Sequence, residues 1–233
     1  MQNKFYSTIR DYYDYIFPLN ATQTNFVNEE FPNFNNKLIE VGCANGKLTN
    51  SLSQYDIRGI DLEDSFIQIA RERYPLITFD ALDMLKLSSL NEKFDGIICF
   101  GNTLVHLETN QIKNFIDQCY SCLKSNGKLL IQILNYDNIL DNKITSLPII
   151  DNDHIRFVRK YKFGERLGFE TDLTIKELNK TISNSISLTP IRKTQLTDII
   201  REASFTDIKI YGAFNKTPLK SSSLPLVLTC KRA

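Results

Sequence analysis

Short apolar runs and stripes with a helical period alternate along residues 37–134. The runs have the length of strands and are predicted at 38–41, just before Asp61, at 77–79, from Phe94 onward and at 128–134. Two stripes between these runs repeat every three or four residues and predict helices: Phe66, Ile69, Ala70 and Arg73/Tyr74, then Ile112, Phe115, Ile116, Cys119 and Leu123. Alternating strands and helices predict a parallel sheet with right-handed crossovers.

The pattern changes on either side of this block. Residues 4–17 are predicted to form an aromatic amphipathic helix, followed by a polar stretch to about Asn36. Toward the end, Thr189-Pro190 precedes a helical stripe, and 205–211 and 224–230 are predicted strands; the stripe is Leu196, Ile199, Ile200 and Ala203. Between 135 and 188 the residues alternate singly, as antiparallel strands do: Ile155, Phe157, Arg159, Tyr161 and Phe163, then Phe169, Thr171, Leu173 and Ile175.

Composition and charge fit one globular domain. With 233 residues, 42% of them hydrophobic, the chain can bury one core and a small insertion. Lys and Arg number 28 against 27 Asp and Glu, so the net charge of +1 does not indicate a nucleic-acid partner. No apolar run approaches the ~20 residues of a membrane span, and the first thirty residues lack a secretion signal. We therefore expect a cytoplasmic protein without membrane association.

The five cysteines are an odd number, which suits a reducing compartment. Cys119 and Cys122 have the spacing of a metal or redox motif. They also fall on a predicted buried helix face, and no second cysteine pair or histidine cluster accompanies them. The sequence therefore favours structural cysteines and indicates no metal site.

A glycine-containing turn follows the first predicted strand. Glu40 to Gly46 form the pattern E-x-G-x-A-x-G, and Asp61 stands 19 positions after Gly42 at the end of the next strand. A strand, a glycine turn and an acidic residue placed for ribose hydroxyls are the components of a nucleotide-cofactor pocket. A dinucleotide fingerprint would need glycine at positions 44 and 47, which hold Ala44 and Lys47. We expect Ala44 to keep a negative φ.

This pattern resembles the first motif of the class I S-adenosylmethionine-dependent methyltransferases, with Ala44 in place of the usual middle glycine. The resemblance implies S-adenosylmethionine as the cofactor, with Asp83 on the adenine amino group and Met84 against the ring. Asp83 could equally be a helix N-cap. The implied cofactor-binding residues are Glu40, Gly42, Cys43, Ala44, Gly46, Asp61, Leu62, Asp83, Met84, Phe100 and Gly101.

Residues 101–107 resemble a G-N-[ST]-x-x-H-L stretch of methyltransferases that act on glycine-type and amino-sugar-type amines. The resemblance places Phe100 and Gly101 against the cofactor and His106 close to the transferred methyl group. With an unperturbed pKa near ~6.5, His106 would suit a general base that deprotonates an amine. The alternative is that His106 only caps or packs the loop.

Residues 12–15 resemble the Tyr-Asp pair near the start of many of these enzymes. In that resemblance the first helix folds over the pocket, and Tyr13 contacts the methyl donor or acceptor. A tyrosine-rich stripe can also be plain core packing. We keep Tyr13 beside His106 as a candidate catalytic residue.

The predicted fold is α/β, with a Rossmann-like doubly wound seven-stranded sheet. It is mostly parallel, with one antiparallel strand near the C-terminus, and a small antiparallel β cap is added. The resemblance implies that the last two strands form a hairpin with the final strand inserted between its neighbours. Ser204 stands where a glycine is common, which affects only that turn. One domain, 1–233, then comprises a helical lid (1–36), a cofactor-binding half (37–134), a substrate cap (135–188), and a C-terminal helix and hairpin (189–233).

We therefore expect methyl transfer from S-adenosylmethionine to a small-molecule acceptor, most readily an amine nitrogen, by in-line displacement. The basic residues of the cap could meet a carboxylate or phosphate of the substrate, or form a solvated face. Three alternatives stay open: O-methylation, a non-catalytic S-adenosylmethionine-binding partner subunit, and an NAD(P)-dependent oxidoreductase. The sequence leaves the acceptor and the oligomeric state open.

Overall fold

The computed structural model describes residues 4–164 and 166–233. The first three residues of the predicted lid lie outside the described residues. The helices are α1 (Lys4–Ile9), α2 (Tyr13–Ile16), α3 (Ala21–Glu30), α4 (Lys47–Ser51), α5 (Asp64–Arg73), α6 (Thr109–Cys122), α7 (Tyr136–Asp141) and α8 (Lys193–Glu202). Short 3₁₀ helices span Arg10–Tyr12, Met84–Leu90 and Thr103–His106.

The strands form two sheets. Those of the main sheet are β1 (Lys37–Val41), β2 (Asp56–Asp61), β3 (Thr78–Ala81), β4 (Phe94–Cys99), β5 (Leu123–Leu134), β10 (Phe205–Tyr211) and β11 (Pro225–Arg232). The second sheet contains β6 (Ile150–Asp151), β7 (Ile155–Lys162), β8 (Leu167–Ile175) and β9 (Lys180–Leu188).

The main sheet has the order β10-β11-β5-β4-β1-β2-β3. Strand β11 is antiparallel to both of its neighbours, β10 and β5, whereas β1 is parallel to β2 and β4. The predicted fold class is thereby confirmed, including the inserted final strand.

The apolar strands build the centre of this sheet because both of their faces are covered. Four of the five β1 residues are buried, as are five of the six residues of β4 from Phe94 to Cys99. The register pairs Glu40 with Gly59 on one side and with Ile98 on the other. The carboxyl ends of β1, β2 and β4 therefore meet at one edge, where open α/β sheets bind ligands.

The second sheet is antiparallel, in the order β6-β7-β8-β9. We call residues 150–188 the cap. Alternation along β7 and β8 is as expected, but the sequence analysis missed β9. Ile182, Ile186 and Leu188 share one face of this strand, but Asn184 interrupts them and most residues of the strand are exposed. Ile155, Phe157 and Leu173 of the cap pack with Ile9 and Ile16 of the first two helices.

The prediction of one helix over residues 4–17 was wrong. Residues 4–17 do not form one helix, because the backbone leaves helical geometry at Ile9 and Tyr12 (ψ 0° and 2°), and α1 and α2 are separate short helices. Such short helices depend on tertiary packing rather than on helix propensity. The polar stretch contains α3, which buries Phe26 and Val27 and is capped by Asn20. Two apolar residues gave too weak a stripe to indicate it.

Smaller differences concern single residues. Helix α5 buries Phe66, Ile67 and Ala70, so Ile67 rather than Ile69 belongs to the inward stripe. The turn at Ser204 keeps a left-handed conformation (φ 68°) without glycine. Cys119 and Cys122 lie buried as free thiols on α6, in agreement with a structural role. Every helix in the described part of the chain is too short or too polar to cross a bilayer.

Candidate active site

The turn after β1 approaches the loop after β4 too closely for a side chain at Gly42. Its φ is +77°, and a Cβ there would lie 2.5 Å from the Thr103 side chain. The prediction for Ala44 was wrong: its φ is +45°. This conformation accompanies a hydrogen bond of 2.9 Å from the Ala44 N–H to Asp61 Oδ2. One methyl group keeps the cost of the left-handed conformation to about 1–2 kcal/mol.

Asp61, at the end of β2, connects this turn to the next helix. Its second oxygen, Oδ1, accepts the N–H of Glu63 at 2.9 Å, just before α5. Burial raises the pKa of Asp61 despite these two bonds. Each carboxylate oxygen accepts more than one hydrogen bond, so Asp61 can still bind ligand hydroxyls.

Two cavities, of about 400 and about 260 Å³, lie at this edge of the sheet and share part of their walls. The predicted residues that line only the smaller one are Asp61, Leu62, Asp83 and Met84. Those that line only the larger one are Glu40, Cys43 and Phe100. The residues common to both are Tyr6, Tyr13, Gly42, Ala44, Gly101 and His106.

Gly46 is the one predicted cofactor-binding residue that lines neither cavity among the described residues. A Cβ at Gly46 would lie 2.7 Å from the ring of Phe79. Glycine is needed there because β3 packs against the start of α4. The structure thus shows a packing requirement at Gly46.

Glu40 lies at the floor of the larger cavity. It is buried, and Oε2 accepts a hydrogen bond of 2.5 Å from Thr49 Oγ1. Burial is the largest influence on this carboxyl and raises its pKa to about 7, and the charge of Asp61 acts in the same direction. A cationic group placed beside Glu40 would reverse this shift.

Asp83 caps a helix and also borders a cavity. Its Oδ1 accepts the N–H of Leu85 at 2.9 Å, so it caps the 3₁₀ helix that follows, and it also lines the smaller cavity with Met84. The cap leaves lone pairs of the carboxylate that can accept further hydrogen bonds. The two interpretations are therefore compatible.

His106 is held by a residue that the sequence analysis missed. The Tyr6 hydroxyl lies 2.8 Å from His106 Nε2, and both side chains line both cavities. Burial raises the pKa of Tyr6 above its ordinary value and lowers the pKa of His106 to about 4. Both groups are therefore uncharged at neutral pH, and burial moves the pKa of His106 well below its unperturbed value.

Helices α1 and α2 cover the junction of the two cavities. Tyr13 packs edge-on against Phe66, with 4.9 Å between ring centroids. The neighbouring Asp14 accepts bonds from Asn45 Nδ2 at 2.6 Å, Lys47 Nζ at 3.0 Å and Arg73 Nη1 at 2.8 Å. Burial alone would raise the pKa of Asp14, but these three donors hold it below its usual value. Asp14 thus connects α2 to the glycine turn, to the start of α4 and to α5.

Two more site residues were not predicted. Gln132 Oε1 accepts the Gly101 N–H at 2.8 Å, and Arg159 of the cap lines the larger cavity. The sequence signal for Gln132 is one amide in the otherwise apolar run 129–134. For Arg159 it is one cation on the apolar face of β7.

Residues 38–127 match a family model described as a methyltransferase domain. A glycine/sarcosine N-methyltransferase of Aphanothece halophytica is 30% identical over 134 residues, covering 55% of this chain and 48% of that protein. A glycine/sarcosine/dimethylglycine N-methyltransferase of Actinopolyspora halophila is 29% identical, covering 54% and 22%. The chain thus spans half or less of the length of these two relatives.

Solved structures resemble the whole fold. An S-adenosylmethionine-dependent methyltransferase from Clostridium acetobutylicum superposes with a TM-score of 0.83 at 14% identity, covering 97% of this chain and 98% of that one. An amino pentose methyltransferase from Micromonospora echinaspora, with S-adenosylmethionine bound, gives a TM-score of 0.69 at 14% identity, covering 91% and 89%. The matched domain, the sheet order and the glycine turn agree: residues 38–127 are similar to a methyltransferase domain, and the chain has the fold of the S-adenosylmethionine-dependent methyltransferases.

Proposed function

We propose that this protein transfers the methyl group of S-adenosylmethionine to an amine nitrogen of a small molecule. The observation that carries the proposal is the wall shared by the two cavities. One cavity contains the acidic residues suited to a nucleoside, the other is covered by the cap, and Gly101 and His106 lie where they meet. A donor with its nucleoside in the smaller cavity and its methionine part beside Glu40 in the larger one would face, at this junction, an acceptor held under the cap.

The residues fit the cofactor. Gly101 has a φ of +69°, and the heavy atom nearest to a Cβ built there is 4.0 Å away, so its backbone borders open space. Asp61 would bind the ribose hydroxyls, Asp83 the adenine amino group, and Glu40 the ammonium group of the methionine part. When bound, S-adenosylmethionine supplies a methyl group on a positively charged sulfur.

The surroundings of His106 support a nitrogen acceptor. The burial that lowers the pKa of His106 to about 4 also lowers the pKa of an amine bound beside it. The junction thereby favours the neutral amine, which presents its lone pair. Neutral His106 accepts a hydrogen bond at Nε2 when its proton is on Nδ1, and Tyr6 or the amine N–H can supply that bond. In this proposal His106 serves more to orient the amine nitrogen of the acceptor than to act as a general base.

The names of the relatives agree with this choice. The two curated relatives are glycine/sarcosine N-methyltransferases, and one structural neighbour is an amino pentose methyltransferase. The test is turnover with paired acceptors that differ only in the nucleophile: n-propylamine against 1-propanol, and 3-aminopropanoate against 3-hydroxypropanoate. We expect N-methyl product by mass spectrometry, with one S-adenosylhomocysteine formed per product. Methylation of the hydroxyl compounds alone would contradict the proposal.

Cofactor binding should depend on pH through Glu40. Since the pKa of Glu40 is about 7 without a neighbouring cation, the carboxyl must lose its proton to pair with the ligand ammonium. Between pH 5.5 and 7.5 we expect the affinity for S-adenosylhomocysteine to rise by roughly 20-fold, measured by titration calorimetry. His106, with a pKa of about 4, stays neutral in this window.

Glu40→Gln provides the control for this pH dependence. The variant should bind more weakly at pH 7.5, and its affinity should be nearly constant across the same range. A flat profile for the native protein, or an equal slope in the variant, would show that Glu40 does not contact the ammonium group.

A further inference from the structure

Three polar side chains share the inner face of the cap. In the β7–β8 ladder Arg159 is paired with Thr171, and Tyr161 with Phe169, so all four side chains lie on one face. Phe157, Arg159 and Phe169 of this face line the larger cavity. The polar side chains therefore lie on the cap face that covers the acceptor side.

Each of these three side chains has one buried polar atom that lacks a hydrogen-bond partner in the described part of the chain. Among the described residues, Arg159 Nε, the Tyr161 hydroxyl and Thr171 Oγ1 are buried without a hydrogen bond. The Tyr161 hydroxyl lies beside the Tyr136 hydroxyl, and the two groups affect each other's pKa. Arg159 donates from Nη2 to the Pro148 carbonyl at 2.7 Å.

No carboxylate of the described residues forms an ion pair with Arg159, although the other arginines of the cap strands and their loops do form pairs: Arg156 with Asp151, and Arg166 with Glu108. An unpaired, part-buried guanidinium and two buried hydroxyls without partners are costly in a folded protein. Such a set is satisfied together by one oxyanion, because guanidinium and hydroxyl groups are all hydrogen-bond donors to it.

We propose that Arg159, Tyr161 and Thr171 bind an oxyanion, carboxylate or phosphate, carried by the acceptor at the end remote from its amine. This inference rests on the proposed function and narrows the substrate to anionic amines. The amine end then lies at the junction near Gly101 and His106, and the anion end lies under the cap. Phe157 and Phe169 exclude water around the ion pair, which strengthens it.

The first experiment compares the KM of three amines: neutral n-propylamine, 3-aminopropanoate and 2-aminoethyl phosphate. We expect the native protein to favour at least one anionic amine over n-propylamine by roughly 30-fold or more, and Arg159→Met to abolish that preference. The anionic amine with the lower KM shows whether the site prefers a carboxylate or a phosphate. Arg156→Met is the matched control, since Arg156 is exposed on the outer face of the same strand, and it should keep the preference.

Two isosteric variants separate a binding role from a structural one. Tyr161→Phe and Thr171→Val each remove a buried hydroxyl that has no partner, so both should keep or raise the melting temperature. Both should nevertheless raise the KM of the anionic amine by about 10-fold, with the affinity for S-adenosylhomocysteine unchanged. A merely structural role would not combine higher stability with a higher KM. Tyr161→Phe and Thr171→Val also test the proposed anion site if Arg159→Met fails to fold.

Two outcomes would overturn the inference without affecting the proposed function. One is equal use of neutral and anionic amines by the native protein. The other is that Arg159→Met weakens binding of S-adenosylhomocysteine instead of the acceptor, since the anion would then be the carboxylate of the cofactor. Failure of the proposed function is distinct, because no amine of any charge would then be methylated.

Discussion

Gly101→Leu is expected to abolish detectable binding of S-adenosylhomocysteine while the protein stays folded. The φ of Gly101 is +69°, and a side chain there would project into the space where the two cavities meet. A leucine should therefore occupy the volume of the ligand, and we expect a loss of affinity of at least about 100-fold, or about 2.7 kcal/mol. Titration calorimetry measures the binding, and circular dichroism checks the fold.

The control for Gly101→Leu is Asn126→Leu. Asn126 has a similar φ of 65° at an exposed position of β5 that lines neither cavity, so both variants carry the left-handed cost of about 1–2 kcal/mol. Only the variant at Gly101 should lose binding. Equal affinity in the two variants would mean that the ligand does not occupy the junction.

Asp61→Ala is expected to weaken S-adenosylhomocysteine binding by about 100-fold or more. The substitution removes the carboxylate that would accept hydrogen bonds from the ribose hydroxyls and that also holds the glycine turn in place. Both carboxylate oxygens accept backbone N–H groups, from Ala44 and Glu63. Asp61→Asn keeps one acceptor oxygen, so its loss should be intermediate. Affinities come from calorimetry at pH 7.5, where Glu40 is largely deprotonated.

Asp64→Ala is the matched control for Asp61, because Asp64 is an exposed carboxylate at the start of α5 that lines neither cavity. Its affinity should be within a factor of two of the native value. If Asp61→Ala bound as tightly as Asp64→Ala, the acidic residue at the end of β2 would have no part in the cofactor site.

The cofactor half of the site could be predicted because its signals are local. Gly42, the end of β1 and Asp61 are brought together by one βαβ unit, whose geometry follows from strand and helix lengths. The same holds for Asp83 and Gly101, which follow the ends of β3 and β4, the strands that flank β2 and β1 in the sheet. The conformation of Ala44 could not be predicted, because a hydrogen bond to Asp61, 17 residues away, accompanies it.

The acceptor half depends on contacts between distant parts of the chain. Tyr6 and His106 are 100 residues apart, and no sequence period indicates that their side chains meet. The pKa of His106 likewise follows from burial by the lid, which the sequence of its own loop does not show. Arg159 stood in a correctly predicted strand, but its lack of an ion-pair partner among the described residues is visible only in three dimensions.

The claim on which the rest depends is that the two joined cavities hold S-adenosylmethionine. The most direct test is titration calorimetry of the native protein with S-adenosylmethionine, S-adenosylhomocysteine and NADH in parallel at pH 7.5. We predict saturable binding of both adenosyl compounds, one molecule per chain, and no measurable binding of NADH. Absence of binding by the adenosyl compounds, or tighter binding of NADH, would contradict the assignment of the glycine turn and of the cavities that it lines.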